Sequence, residues 1–173
     1  MSGPVPDARS GQPPREPLAV TLPTGEDTRA LGTRLGRLLR PGDLVVLTGD
    51  LGAGKTTLTQ GLAEGLGVRG PITSPTFVIA RVHPSLVGGP ALVHVDAYRL
   101  GGEAELDDLD LDASLDESVT VVEWGHGIAE HLADELLEVE LQRSGSEDGN
   151  QQSRTATLRA VGPRWDGLGR MLA

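Results

Sequence analysis

The stretch Leu44-Val45-Val46-Leu47-Thr48-Gly49-Asp50-Leu51-Gly52-Ala53-Gly54-Lys55-Thr56-Thr57 decides how this chain is read. Its four leading apolar residues run without alternation, as in a strand buried on both faces, and glycines follow at once. Gly49 and Gly54 bracket four residues ahead of Lys55-Thr56, which is Walker A spacing, and a helix is expected from Thr56 to Leu66. Glycine lets such a loop curl so that successive N–H groups face inward, and the helix N-terminus adds a favourable dipole. The expected ligand is Mg·ATP, with Lys55 reaching the β- and γ-phosphates and the Thr56 hydroxyl ligating Mg²⁺. A plain glycine-rich turn is the bland alternative in a chain with 24 glycines, and the flanking strand and helix argue against it.

Composition sharpens the assignment. Lys55 is the sole lysine among 15 basic residues, so the chain uses arginine wherever either would serve. A compact ammonium fits inside a phosphate cradle where a broad planar guanidinium would force the loop open.

Working outward, Leu18 to Leu22 reads as a short strand. Leu31, Leu35, Leu38 and Leu39 recur at helical spacing between Glu26 and Leu39, and Pro41-Gly42 ends that helix. Further strands are expected at Thr76 to Val82, Ala91 to Asp96 and Val119 to Trp124. Leu136 to Gln142 and Arg154 to Val161 alternate around the polar loop Ser144 to Ser153, which predicts a terminal hairpin, and a short helix closes the chain. Strands interleaved with helices around a glycine loop predict an α/β, three-layer P-loop NTPase fold with a central mixed, mostly parallel sheet. At 173 residues the chain fits one domain, expected from Leu18 to Ala173, behind a Pro-, Gly- and Arg-rich tail at Met1 to Pro17 that is expected to be disordered.

The formal net charge of −10 disfavours direct binding to nucleic acid or anionic lipid. The absence of cysteine removes disulfides, thiolate zinc sites and cysteine nucleophiles. With no signal-peptide core and no bilayer-length apolar run, a soluble cytoplasmic protein is expected.

Two later runs end in carboxylates. Ala91-Leu92-Val93-His94-Val95-Asp96-Ala97-Tyr98-Arg99 delivers Asp96, Tyr98 and Arg99 to a strand end, and Val119-Thr120-Val121-Val122-Glu123-Trp124 delivers Glu123 and Trp124. Parallel strands ending beside a phosphate loop bring such groups to the metal, where they hold Mg²⁺ and its waters and orient or deprotonate an attacking water. Glu123 binding Mg²⁺ directly with Asp96 acting through water is one assignment, and the reverse is the other. Lys55, Asp96 and Glu123 are the expected catalytic residues. Trp124 also suits simple core, and His94, inside its strand, reads as a satisfied core or hydrogen-bonding histidine rather than a metal ligand. Ser74-Pro75-Thr76-Phe77 stands where P-loop switch proteins place a segment that senses the γ-phosphate. The acidic run Glu103 to Glu117 reads as a solvated helix and loop anchored by leucines.

These four motifs, in this order, resemble the bacterial TsaE (YjeE) family: the loop Gly49 to Thr57, Ser74 to Phe77, His94-Val95-Asp96-Ala97-Tyr98-Arg99-Leu100, and Val122-Glu123-Trp124. The resemblance covers about Leu18 to Val161. It implies an ATPase needed for threonylcarbamoyladenosine formation at position 37 of tRNA, working with TsaD and TsaB, weak alone and meeting tRNA only through the complex. It also implies that the phosphate loop is Gly49 through Thr57, that Thr56 and Glu123 bind the metal, that Asp96 is the essential aspartate, and that Arg154 contacts nucleotide. Ser74 to Phe77, Tyr98, Arg99 and Trp124 are the expected switch and partner residues. Gly125-His126-Gly127 departs from the more polar continuation usual in the family.

The main rival is a small-molecule kinase of P-loop type, which needs an acceptor pocket and an arginine-bearing lid, and no arginine cluster suits that role. A GTPase is excluded more firmly. The guanine-reading Asn-Lys-x-Asp motif cannot be built where Asn150 is the only asparagine and Lys55 the only lysine.

Overall fold

The computed structural model describes residues 16–50, 52–72, 80–97, 115–124, 132–143 and 153–172. Along the chain run β1 (Leu18–Leu22), α1 (Gly25–Leu38), β2 (Leu44–Thr48), α2 (Lys55–Leu66), β3 (Ala80–His83), β4 (Leu92–Asp96), β5 (Val119–Glu123), β6 (Leu136–Arg143) and β7 (Arg154–Val161). A 3-10 turn (Pro163–Trp165) and a short helix α3 (Leu168–Met171) follow.

The strands form one seven-stranded sheet in the order β1-β7-β6-β2-β5-β4-β3. Its centre, β6-β2-β5-β4, is parallel, while β3, and β7 against both its neighbours, pair antiparallel. The sheet is therefore mixed with a parallel core, and the unbroken apolar run Leu44 to Leu47 lies within that core as expected. Leu44 to Leu47 are fully buried, as strands covered on both faces must be.

Alternation sorts the side chains between two faces. Val45 and Leu47 join Leu31 and Leu35 of α1 and Leu58 and Leu62 of α2 in one apolar cluster, while Leu44 and Val46 join Val93, Val95 and Val122 in a second. Among the described residues both long helices lie against the first cluster. The second layer of helix expected on the other face falls outside the described residues.

How α1 and α2 meet was not anticipated. Gly32 and Gly36 of α1 face Gly61 and Gly65 of α2, so the backbones touch directly. A Cβ on Gly36 would stand 3.0 Å from the Gly65 Cα, and one on Gly61 would stand 3.0 Å from the Gly32 Cα. Glycine inside a helix costs about 1 kcal/mol against alanine. Four such residues in register are explained by this close approach, which sets α2 firmly on its neighbour.

Helix α1 caps itself. The Thr24 hydroxyl accepts from the Asp27 N–H at 3.2 Å, and the Asp27 carboxylate accepts from the Thr24 N–H at 3.0 Å. The C-terminal turn is anchored by Arg164, whose Nε and Nη2 donate to the Asp43 carboxylate at 3.0 and 2.8 Å and whose Nη2 donates to the Leu38 carbonyl at 2.6 Å. Asp43 also accepts from the Arg40 N–H at 2.7 Å, so one carboxylate ties the end of α1, the start of β2 and the chain terminus together.

Most expected boundaries agree to within a residue or two. The strand expected at Thr76 to Val82 is found as Ala80–His83, with 73–79 outside the described residues. The strand expected to reach Trp124 stops at Glu123. Of the acidic stretch, Leu115 is described and buried. No described helix is long and apolar enough to cross a membrane.

Candidate nucleotide site

The loop leaving β2 has the backbone its glycines predict. Gly49, Gly52 and Gly54 have φ of +145°, +77° and +102°, all in the region that favours glycine. Gly49 is doubly constrained, since a Cβ there would stand 2.5 Å from the Leu141 carbonyl oxygen. The Ala53 N–H donates to the Asp50 carbonyl at 3.0 Å and closes the turn. In contrast to α1, helix α2 opens on Gly54 with no side-chain cap and no acidic residue in its first turn. Its leading N–H groups are thus directed at whatever anion the loop receives.

Lys55 is buried at the start of α2. Its Nζ donates to the Gly49 carbonyl at 2.6 Å and the Asp50 carbonyl at 3.1 Å and lies 4.1 Å from the centroid of the Trp124 ring. Burial lowers its pKa, against the opposing pull of Glu123, Asp50 and Asp96. The charges of these three carboxylates therefore favour the ammonium form against its burial.

Sheet register sets two of these carboxylates side by side. Asp96 at the end of β4 is the direct neighbour of Glu123 at the end of β5, and Glu123 is paired across to Leu47 at the end of β2. Leu92 and Val121 belong to the helix-side cluster. By alternation His94, Asp96 and Glu123 project to that side too. Both carboxylate residues are buried.

His94 departs from expectation. It is fully buried as expected, and its Nε2 lies 3.3 Å from Glu123 Oε2, yet among the described residues neither ring nitrogen completes a hydrogen bond. It is a neighbour of the acidic site rather than a satisfied core group. Trp124 is also more than core. It is half-buried, has a φ of +60°, unusual for a bulky residue, and its N–H donates to the Leu47 carbonyl at 2.8 Å. That sharp turn ends β5 and sets the indole over Lys55.

Arg154 lies at the loop, on the side of its carbonyls. Its Nε donates to the Ala53 carbonyl and its Nη2 to the Gly52 carbonyl, both at 3.1 Å, and its Nη1 donates to the Ser153 carbonyl at 2.9 Å. Burial first and the charge of Arg143 second lower its pKa. Arg143 was missed by sequence reasoning. It is the cross-strand partner of Arg154 in the terminal hairpin, and its Nη2 approaches the Gly52 carbonyl at 3.4 Å. Its signal was its place opposite Arg154, legible only once the hairpin register is known.

The site so assembled fits a magnesium nucleotide. It offers a glycine cradle, an uncapped helix start, a buried ammonium and two strand-end carboxylates, with Thr56 and Thr57 in the first turn of α2. Among the described residues no three His, Cys, Asp or Glu side chains cluster as a self-sufficient metal site. Leu51, Ser74, Pro75, Thr76, Phe77, Tyr98 and Arg99 lie outside the described residues.

The family model described as "Threonylcarbamoyl adenosine biosynthesis protein TsaE" matches residues 22–154. A "tRNA threonylcarbamoyladenosine biosynthesis protein TsaE" of Streptomyces coelicolor is 62% identical over 138 residues, covering 79% of this chain and 93% of the relative. The protein of the same description from Bacillus subtilis is 41% identical over 144 residues, covering 83% and 85%. The crystal structure of Bacillus subtilis YdiB superposes with a TM-score of 0.70 at 36% identity, covering 91% of this chain and 94% of that one.

Proposed function

The chain belongs to the TsaE family of threonylcarbamoyladenosine biosynthesis proteins, and from that premise we propose that it is a Mg²⁺-dependent P-loop ATPase. In this reading it supports tRNA modification by acting on a TsaD–TsaB transferase in the cytoplasm. The observation that carries the reading is Lys55, a buried ammonium held 2.6 Å from the Gly49 carbonyl inside a loop of positive-φ glycines.

Lys55 and the N–H groups at the start of α2 would bind the phosphates of ATP, and Thr56 and Glu123 would hold Mg²⁺, with Asp96 acting through water. Mg²⁺ held there would supply neutralisation of the phosphate charge. Asp96 and Glu123 orient the attacking water, the buried site limits competing solvent, and the indole of Trp124 keeps Lys55 in place. Arg154 contributes from the far side of the loop. The net charge of −10 makes tRNA an unsuitable direct ligand, so the output is a nucleotide-dependent surface offered to a protein partner through Ser74 to Phe77, Tyr98, Arg99 and Trp124. Partner binding in turn completes the site and accelerates turnover.

Calorimetric titration of the full chain with Mg·ATP, beside Lys55→Ala, tests the reading. Binding by the parent and none by a folded variant is expected, and parent-like affinity in that variant would refute the P-loop assignment. Phosphate release should be slow alone and faster with TsaD and TsaB. Fast partner-independent turnover, or phosphate transfer to a metabolite, would move the assignment to a stand-alone NTPase or a kinase.

A further inference from the structure

Resting on the nucleotide reading above, we infer that His94 is a positioning residue for Glu123, an imidazole carried at the expense of folding stability because it holds the Glu123 carboxylate in place during hydrolysis. A histidine that merely filled the core would satisfy its ring nitrogens, since a buried polar atom without a hydrogen bond destabilises the fold. His94 does the opposite. It is fully buried in the middle of β4, and among the described residues neither Nδ1 nor Nε2 completes a hydrogen bond. His83, the other described histidine, has a backbone hydrogen bond with Arg69 and leaves only Nε2 without one.

Packing alone would be better served by an apolar residue. Leu92, two positions earlier on the same face, and Val121, the register partner of His94 on β5, are both fully buried in the helix-side cluster. What the imidazole adds is its reach to Glu123. Its Nε2 lies 3.3 Å from Glu123 Oε2, with the two side chains only 0% and 4% exposed. Register makes the contact possible, because His94 and Asp96 alternate onto one face of β4 and Asp96 pairs with Glu123. An N–H on Nε2 needs a small adjustment to donate to that oxygen. Hydrogen bonds among catalytic groups are often long or misaligned in a ligand-free protein and tighten once substrate is bound. A carboxylate fixed through one oxygen loses the freedom to swing, so its charge stays where metal and water require it.

Folding and positioning roles predict opposite effects of substitution. The full chain is compared with His94→Leu, which removes both unbonded nitrogens, and His94→Gln, which keeps a donor. Urea unfolding without ligand gives stability, calorimetry gives Mg·ADP affinity, and phosphate release is followed through one turnover with protein in excess over Mg·ATP. His94→Leu should be at least as stable as the parent, bind Mg·ADP equally well and release phosphate about tenfold more slowly. His94→Gln should recover most of that rate while being less stable than His94→Leu, so the two variants rank oppositely in rate and stability. Added to Glu123→Gln, His94→Leu should slow release no further, because the carboxylate it positions is gone. A His94→Leu chain less stable than the parent would make His94 a core residue and overturn the inference. An unchanged rate, or a loss that adds in full to that of Glu123→Gln, would overturn it equally. If the parent neither binds Mg·ADP nor releases phosphate, the nucleotide reading itself fails, whereas an active parent with an unaffected His94→Leu variant removes this inference alone.

Discussion

Replacing Gly61 by alanine tests how tightly the nucleotide-bearing helix is held. Alanine in the interior of α2 gains up to about 1 kcal/mol in helix propensity, so on local grounds the variant should be more stable. Packing opposes this. The added Cβ would overlap the Arg29 carbonyl group and stand 3.0 Å from the Gly32 Cα, where carbon atoms prefer about 3.5–4.0 Å. The helices must part by about half an ångström or more, loosening the contacts of Leu31, Leu35, Leu58 and Leu62. Overpacking of this kind costs about 1–3 kcal/mol before the separation of the helices is counted. A net destabilisation of about 1–2 kcal/mol is therefore expected. Gly25→Ala is the control, because a Cβ at Gly25 meets nothing within 4 Å, and it should be neutral or stabilising. Urea unfolding followed by far-ultraviolet circular dichroism gives both values, with the slope checked for constancy. If Gly61→Ala is as stable as the parent, the helices are not in backbone contact and the account of the four glycines is wrong.

Other expectations follow from the site and its supports. Glu123→Gln and Asp96→Asn should lower ATP hydrolysis by about a hundredfold or more while leaving ADP affinity nearly unchanged, as read by phosphate release and calorimetry. Full activity in either variant would reduce that residue to a turn former. Arg164→Ala strands the buried Asp43 carboxylate and should cost about 3 kcal/mol in chemical unfolding. Burial, aided by His94 and Arg81 and opposed by a backbone hydrogen bond to Arg69, holds the His83 pKa below its ordinary 6.5. The unfolded chain then takes up a proton there that the folded chain refuses, so stability should fall as pH drops from about 6.5 through the folded pKa. His83→Gln should flatten the dependence of unfolding free energy on pH across that window.

Much of this architecture was legible in the sequence because its cues are local. The Leu44 to Leu47 run and the Gly49 to Thr56 spacing each determine structure within a few residues, and the strand end at Asp96 and the carboxylate closing the Val119 run follow from apolar runs that stop at an acidic residue. What escaped depends on register or on distant partners. That Gly32 and Gly36 meet Gly61 and Gly65 requires knowing that α1 and α2 are neighbours, though the four-residue spacing inside both helices was visible. The Arg164–Asp43 pair joins residues 121 apart in the chain, and no pattern in either segment announces it. Arg143 became meaningful only when the hairpin placed it opposite Arg154. His94 shows the converse limit, where burial was foreseen but the Glu123 carboxylate beside it was not.

The burial of Lys55 has a consequence for how occupancy is measured. Because the chain contains one lysine, an amine-directed acylating reagent has a single side-chain target, and any other mass increment comes from the N-terminal amine. That target is only 7% exposed and engaged by two carbonyl oxygens, so its modification rate reports how often the cradle opens. Intact-mass labelling over time thus follows loop breathing and ligand protection in unmodified protein, with no probe introduced.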